Sequence, residues 1–140
     1  MTQGRKGRET AVQILYQLED PNGVLPEDPS VGISGFFQNF EHEQEARDDA
    51  SALVEGVCRR QKDLDAVIEK HSHRWKIKRM AKVDRNVLRL AAFELIERIT
   101  VPARVVLNEA VELGKRFGSE TSSSFINGVL DPVAKEIRPP

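Results

Sequence analysis

Hydrophobic residues recur at intervals of three and four along most of the chain, and no stretch alternates between apolar and polar residues as a half-buried strand does. That period is typical of amphipathic α-helices. The pattern predicts an all-α fold, a single-domain bundle of six or seven helices over residues 1–140. The predicted helices cover about residues 5–19, 36–42, 46–71 with a break near 60–63, 83–96, 100–117 and 119–137.

Turn and capping residues set the predicted helix ends. Proline and glycine are frequent over about residues 20–35, which predicts an irregular loop there because both disrupt a helix. Thr100 and Ser119 are predicted to cap the last two helices, and Gly118 is predicted to end the helix between them.

The helix predicted over residues 83–96 is apolar almost all round, so we expect it at the centre of the bundle. Glu109 and Glu112 lie on the polar side of the following helix, where solvation or pairing along that helix would account for them. The predicted core contains Leu88, Leu95, Leu107, Val111, Leu130 and Val133.

The composition excludes several classes of protein. No run approaches the roughly 20 consecutive apolar residues of a membrane helix, and the basic residues near the N-terminus precede no apolar segment of the signal-peptide kind. The single cysteine, Cys58, excludes a disulfide framework and a zinc site of several cysteines, and its apolar helical neighbours favour an inert buried thiol. This composition suits a reducing cytoplasm.

No pattern in the sequence indicates catalysis, a metal site or a cofactor. His71 and His73 are close together, but no zinc-binding HExxH pattern and no cysteine pair accompanies them, and a polar helix end accounts for both. Glycine-rich phosphate loops, nucleophile elbows and dinucleotide fingerprints are also missing from the sequence. We therefore expect a binding protein and not an enzyme.

Basic residues form two clusters on a chain whose net charge is only −1. Arg5, Lys6 and Arg8 stand at the start of the first helix, where the positive end of the helix dipole disfavours cations and free backbone N–H groups favour an anion such as phosphate. Residues 74–89 hold seven bases and one acid, Asp84. The ordinary interpretation of such a cluster is a solvated face, and RNA or a protein partner are the alternatives that stay open for it.

The start of the last helix combines hydroxyl groups with an aromatic ring. Thr121 and Ser122 precede Phe125, which lies about 100° round the helix from the core residue Ile126. A ring at the border of core and solvent can stack on an unpaired base. The alternative is that Phe125 is a core residue.

Four segments of the sequence, in order, resemble the NusB family of bacterial transcription antitermination factors. They cover about half of the chain. The resemblance rests on Arg8-Glu9-x-Ala11-Val12-Gln13-x-Leu15-Tyr16, Val83-Asp84-Arg85-x-Val87-Leu88-Arg89, Val101-Pro102-x-x-Val105-x-Leu107-Asn108-Glu109-Ala110 and Phe125-Ile126-Asn127-Gly128-Val129-Leu130-Asp131.

The resemblance implies a seven-helix bundle that binds RNA and has no enzymatic activity. It further implies that the protein pairs with NusE, a ribosomal small-subunit protein, and that the two hold the boxA element of nascent single-stranded RNA. With other Nus factors on RNA polymerase, such a complex promotes processive transcription of rRNA operons. Whether the protein also forms a homodimer stays open.

The family's RNA contacts, carried over residue by residue, fall on the N-terminal cluster and on the last helix. They predict phosphate contacts for Arg5, Lys6 and Arg8 and a base contact for Phe125, with Thr121 and Ser122 in the same RNA-binding turn. Tyr16 and Asp84 match positions near the family's NusE-facing side.

Two other functions stay open at this point. One is a protein–protein adaptor of the same fold with weak or no RNA binding. The other is an RNA-binding module derived from an rRNA cytosine methyltransferase, in which NusB-like modules occur fused to the enzyme.

Overall fold

Helices account for all the regular secondary structure in the computed structural model, which describes residues 4–40, 42–73 and 75–140. Within those residues there is no strand, and the predicted all-α fold is confirmed. A short 3₁₀ helix, Ile77–Arg79, precedes the fifth α-helix. The α-helices are α1 Arg5–Leu18, α2 Ser30–Asn39, α3 Gln44–Arg59, α4 Gln61–His71, α5 Lys82–Glu97, α6 Ala103–Phe117 and α7 Ser122–Ile137.

Helix α5 is the central element, as its apolar sequence predicts. It packs against α1, α3, α4, α6 and α7, and from Asp84 to Leu95 every residue is buried. Such burial agrees with a helix that carries apolar residues almost all round. The helices that contact α5 are therefore arranged around it, and each covers part of its surface.

Most of the predicted core is confirmed. Leu107 and Val111, which were also predicted to lie in the core, are only partly buried, and Leu107 packs against the core from its edge. The fully buried stripe of α6 is formed by Val106, Ala110 and Leu113 instead, so these two residues lie at its border. The predicted core residues that are fully buried are Leu88, Leu95, Leu130 and Val133.

Helix α2 corrects the prediction of an irregular loop over residues 20–35. The helix begins at Ser30, whose N–H and hydroxyl both donate to Oδ1 of Asp28, at 3.0 and 2.5 Å. Gly32 lies inside the helix because α2 approaches Leu18 closely: a Cβ there would stand 2.0 Å from a methyl carbon of that leucine. The glycine that suggested a loop thus permits close helix packing.

Two predicted caps differ in the structure, while the predicted helix ends are found. The residue before α6 is Pro102, with no side-chain cap, and Ser119 lies before the first turn of α7 instead of capping it. The N–H of Ser119 donates to Oγ of Ser122 at 2.9 Å. Gly118 ends α6, and the break between α3 and α4 falls at Arg60, as predicted.

The central helix also buries Arg85, Arg89 and Glu94, and each of these three has a charged partner on a neighbouring element. Arg85 and Arg89 both bind the buried carboxylate of Glu19, the residue that follows α1. Arg89 also donates to Asp65 of α4 at 2.7 and 3.0 Å. Because a buried charge without a partner is costly, these bonds fix α1 and α4 relative to α5.

Cys58 is buried in α3, and burial raises the pKa of its thiol to about 11. The thiolate is therefore disfavoured at neutral pH, as expected for an inert thiol. Among the described residues, no helix has the length and apolar character needed to cross a membrane.

A glycine substitution tests the close packing of α3 on α5. A Cβ at Gly56 would stand 2.1 Å from Cζ of Phe93, so we expect Gly56→Ala to lower the free energy of unfolding by about 1–3 kcal/mol. Gly35→Ala is the matched control, because nothing lies within 4 Å of its added methyl group. It should leave stability unchanged or raise it by up to about 1 kcal/mol. Urea unfolding of both variants checks this, and equal midpoints would contradict the packing described here.

Candidate nucleic-acid interface

The start of α1 carries the three predicted phosphate ligands, but they occupy different environments. Arg8 is 3% exposed, and its guanidinium donates two hydrogen bonds to Glu94 of α5, at 2.8 and 2.9 Å. Burial disfavours its charge, but these bonds and the charges of Glu94 and Glu109 outweigh burial and raise the pKa of Arg8. The prediction that Arg8 contacts phosphate is corrected, because a buried guanidinium in this pair holds the fold together.

Arg5 stays at the surface and pairs with Glu109 of α6. Its Nε and Nη2 donate to the two carboxylate oxygens at 3.1 and 2.6 Å, and the hydrogen bond and charge of Glu109 raise the pKa of Arg5. Glu109 is buried and pairs with another helix, so the prediction that solvation or pairing along its own helix accounts for it was wrong for this residue. The two carboxylates, Glu94 and Glu109, thus offset the cost of placing cations at the positive end of α1.

The third cation, Lys6, is exposed, with its Nζ 3.7 Å from a carboxylate oxygen of the exposed Glu43. An ion pair this open to water contributes little to stability, so the ammonium group of Lys6 is available to a ligand. Beside Arg5, a shallow groove of polar side chains runs between α6 and α7; we call it the polar groove. It is lined by Arg5, Asn108, Glu109, Val111, Glu112, Lys115, Ser123, Ser124 and Asn127.

A second groove contains the predicted base contact, Phe125, and we call it the aromatic groove. It has a volume of about 700 Å³ and lies between the start of α7 and the segment that joins α4 to α5. Phe125 is partly buried in its wall, at the border of core and solvent, and Trp75 is 47% exposed in the same groove. Two aromatic rings therefore line one cavity that is open to solvent.

Of the two hydroxyl side chains predicted to contact RNA before Phe125, one is exposed and the other is buried. Thr121 is exposed and lines the aromatic groove. Ser122 is completely buried, and its Oγ accepts the N–H of Ser119. The prediction of an RNA contact for Ser122 is corrected, since its hydroxyl closes the turn before α7.

The basic cluster over residues 74–89 also separates into structural and exposed parts. Arg85 and Arg89 are buried with Glu19, and Nζ of Lys82 lies 4.3 Å from the ring centre of Tyr16. The side chain of Arg74 lies outside the described residues. The exposed cations next to the aromatic groove, Lys76, Lys78 and Arg79, form no ion pair with any residue that the structure describes.

The two grooves meet at Ser124, which lines both of them. A path therefore leads from Arg5 and Lys115 past this hydroxyl to Phe125 and on to the exposed cationic side chains of Lys76 and Arg79. Single-stranded nucleic acids bind to surfaces that combine cations with aromatic rings. Their backbone phosphates pair with the cations, and their unpaired bases stack on the rings.

Tyr16 and Asp84, the predicted partner contacts, lie in different grooves. Tyr16 is 45% exposed and lines a separate apolar groove of about 420 Å³ with Phe36, Phe40, Val83 and Phe117; we call it the Tyr16 groove. Asp84 is buried and lines the aromatic groove. The two residues line different grooves, but Val83, next to Asp84, lines the Tyr16 groove, so the two grooves adjoin at the start of α5.

Metal-ligating side chains are not gathered in either groove. His71 lines the aromatic groove, but its Nε2 lies 2.9 Å from a carboxylate oxygen of Glu136. Across residues 4–40, 42–73 and 75–140, no three histidine, cysteine or acidic side chains are placed to hold a metal ion.

Comparison with known proteins identifies the family. The family model described as the NusB family matches residues 5–135. The chain belongs to the NusB family. It is 50% identical over 135 residues to the transcription antitermination protein NusB of Anaeromyxobacter dehalogenans strain 2CP-1, covering 96% of this chain and 92% of that one. It is 46% identical to the protein of the same name from Myxococcus xanthus, covering 97% of each.

Solved NusB structures share the fold. One contains the antitermination factors NusB and NusE in complex with double-stranded RNA, and its match has a TM-score of 0.79 at 33% identity, over 97% of this chain and 99% of that one. The predicted resemblance is thereby confirmed. NusB is a non-enzymatic factor, so the expectation that this chain is not an enzyme is confirmed by its family.

Sequence reasoning missed the exposed Trp75 and did not separate the exposed cations that follow it from the buried ones. The signal was present in the sequence, because an aromatic residue between basic residues is a common feature of nucleic-acid contacts. The cluster was ambiguous because Arg85 and Arg89 belong to the same run of charges and are buried. Only the helix packing of the NusB fold separates the two kinds of base.

Replacing Arg8 and Lys6 one at a time tests the separation of structural from exposed cations. Arg8→Ala leaves Glu94 buried without its main partner, so we expect the free energy of unfolding to fall by about 3–5 kcal/mol. Lys6→Ala removes an exposed cation from the same helix turn and should change it by less than about 0.5 kcal/mol. Thermal and urea unfolding measure both, and a wild-type stability for Arg8→Ala would contradict the structural role.

Proposed function

We propose that this protein binds single-stranded boxA-type RNA together with NusE and acts in transcription antitermination. The observation that carries the proposal is the path described above, on which the polar groove and the aromatic groove share Ser124. Backbone phosphates lie along the cations of this path and unpaired bases lie against Phe125 and Trp75. The related NusB in the solved complex with NusE and double-stranded RNA supports the coarser part of the proposal, the binding of RNA together with NusE.

The distribution of ion pairs explains why a protein partner is needed. Arg5 is paired with Glu109, and Nζ of Lys115 lies 3.4 Å from Glu112, so the polar groove offers an incoming phosphate little free positive charge. Lys76, Lys78 and Arg79 remain at the far end, and Lys6 follows Arg5 along α1, outside the lining of the polar groove. Few phosphate contacts give weak binding. A partner that adds its own cations then raises the affinity of the complex for RNA.

NusE is assigned to the Tyr16 groove. Tyr16 and Phe40 expose about half of their surface there, beside the buried Phe36. Exposed aromatic residues around an apolar depression are typical of protein-binding surfaces. The Tyr16 groove has no lining residue in common with the aromatic groove, although Val83 of the first and Asp84 of the second are consecutive in α5, so RNA and NusE bind to neighbouring surfaces.

In the cell, we assign the complex to the boxA element of nascent rRNA transcripts in the cytoplasm. There it joins other Nus factors on RNA polymerase and promotes processive transcription of rRNA operons. The whole chain, residues 1–140, acts as one RNA-binding domain in this role. The names of the curated relatives, transcription antitermination protein NusB, support it.

Titration of a boxA-like single-stranded RNA with this protein, alone and with NusE, tests the proposal. We expect weak binding by the protein alone and at least about tenfold tighter binding by the pair. Formation of a stable pair with NusE that binds the RNA no better than NusE alone would favour the adaptor function instead. Fluorescence anisotropy at several salt concentrations measures all of these affinities.

Two variants separate base stacking from phosphate contact. Phe125→Ala should weaken RNA binding by roughly 1–3 kcal/mol without changing the salt dependence, because a ring stacks on a base face. Lys78→Ala should flatten the dependence of log affinity on log salt by about 0.7, the value for one phosphate of a single strand. Salt titrations of both variants measure these effects.

The melting temperature of the Phe125→Ala variant is the necessary control, because truncating a core phenylalanine costs roughly 3–5 kcal/mol of stability. Weaker RNA binding at a nearly unchanged melting temperature supports the contact. A large drop in melting temperature with wild-type affinity of the folded fraction would mean that Phe125 serves only the core.

A further inference from the structure

The polar groove lies on the RNA path, yet the side chains that line it carry no net formal charge. Its two cations, Arg5 and Lys115, stand beside two carboxylates, Glu109 and Glu112. Arg5 donates to both oxygens of Glu109 at 3.1 and 2.6 Å, and Nζ of Lys115 lies 3.4 Å from Oε1 of Glu112. Phosphate binding depends on cations that can replace the counterions of the strand. This groove, of about 740 Å³, is therefore suited to an uncharged part of the strand.

Uncharged hydrogen-bonding groups line the same groove. Asn108 of α6 and Asn127 of α7 are exposed, and their amides form no hydrogen bond with any residue that the structure describes. The hydroxyl of Ser124 donates to the carbonyl oxygen of Thr121 at 3.2 Å. Because that bond uses its one proton, Oγ of Ser124 is left as an acceptor. Ser124 and Asn127 are three residues apart in α7, so they lie side by side on one helix face.

The rings and free cations at the other end of the path act on RNA and DNA alike. A single strand of either kind offers base faces to Phe125 and Trp75, and it offers phosphates to the exposed cations beside them. The ribose 2′-hydroxyl is the group that RNA has and DNA lacks, and it both donates and accepts hydrogen bonds. A groove with free amides and a free hydroxyl oxygen matches that group.

We propose that the polar groove selects RNA over DNA by binding ribose 2′-hydroxyl groups through Ser124 and Asn127. The 2′-hydroxyl groups donate to Oγ of Ser124 and accept from the side-chain amide of Asn127. Since Ser124 also lines the aromatic groove, the sugars enter the polar groove next to the place where the bases stack. The proposal deepens the RNA-binding function above and rests on it.

The test compares three short single strands of one boxA-like base sequence that differ only in the sugar. They are an RNA, a DNA with deoxyuridine in place of thymidine, and a 2′-fluoro RNA, which keeps the ribose pucker and lacks the hydroxyl donor. Each is titrated by fluorescence anisotropy with the full chain, alone and together with NusE. We expect the RNA to bind about tenfold tighter than either of the other strands, the effect of one or two hydrogen bonds.

The variants Ser124→Ala and Asn127→Ala remove the two sugar contacts from exposed helix positions, where alanine is a favourable residue. Each should lower the affinity for RNA by about three- to tenfold, the effect of one lost hydrogen bond, and leave the affinity for DNA unchanged. Lys78→Ala is the matched control, since it removes an exposed cation next to the aromatic groove. It should weaken the binding of RNA and DNA by the same factor, so the preference for RNA is kept.

The outcomes separate the sugar contact from the general function. Equal binding of RNA and DNA by the wild-type protein, or equal binding of RNA and 2′-fluoro RNA, would overturn the sugar contact and leave nucleic-acid binding intact. A preference for RNA that survives both alanine variants would also overturn it, and would assign the selection to NusE if it appears only in the pair. Equal losses of RNA and DNA affinity in those variants would overturn it too. Failure of every strand to bind, with or without NusE, would contradict the RNA-binding function itself.

Discussion

The pairing of charges on the central helix is the constraint on which the rest of the structure depends. Helix α5 is buried along most of its length, yet it carries Arg85, Arg89 and Glu94 into the interior. Each needs an opposite charge from a neighbouring helix, because an unpaired ion in a protein interior is strongly destabilising. Glu19 meets the two arginines at the end of α1, and Arg8 meets Glu94 at its start. One helix is thus held against α5 at both ends by ion pairs, with apolar packing between them.

This constraint also decides which cations remain for a ligand. Side chains whose charge is used inside the bundle are not free to bind phosphate, so the proposed interface is built from cations outside it. They include Lys6 at the start of α1 and the exposed cations around Trp75. The net charge of the chain conceals this arrangement, because the acidic side chains offset the exposed cations as well as the buried ones. A surface of this kind is suited to RNA that is also held by a second protein.

The sequence predicts the helices well because their period depends on local spacing, and it predicts the central place of α5 because that helix is apolar on all sides. It fails where a residue's role depends on a distant partner. Gly32 suggests a loop until the close approach of Leu18 explains it, and Glu109 suggests a solvated face until Arg5 pairs with it. Arg8 likewise stands in a polar stretch of sequence that suggests a surface cation, but its side chain is buried. Phe125 was placed at the border of core and solvent by its helical position alone, and the structure puts it there.

The most direct test of the account is a map of the RNA-binding surface by NMR. The isotopically labelled protein is titrated with a single-stranded RNA, and the shifts of its backbone amides are followed. The largest changes should fall on residues 71–81 and 121–129 and around Lys6, with Tyr16 and Phe40 unaffected. Changes centred on the Tyr16 groove, with the amides around Trp75 and Phe125 unmoved, would contradict the division between buried structural charges and an exposed RNA path.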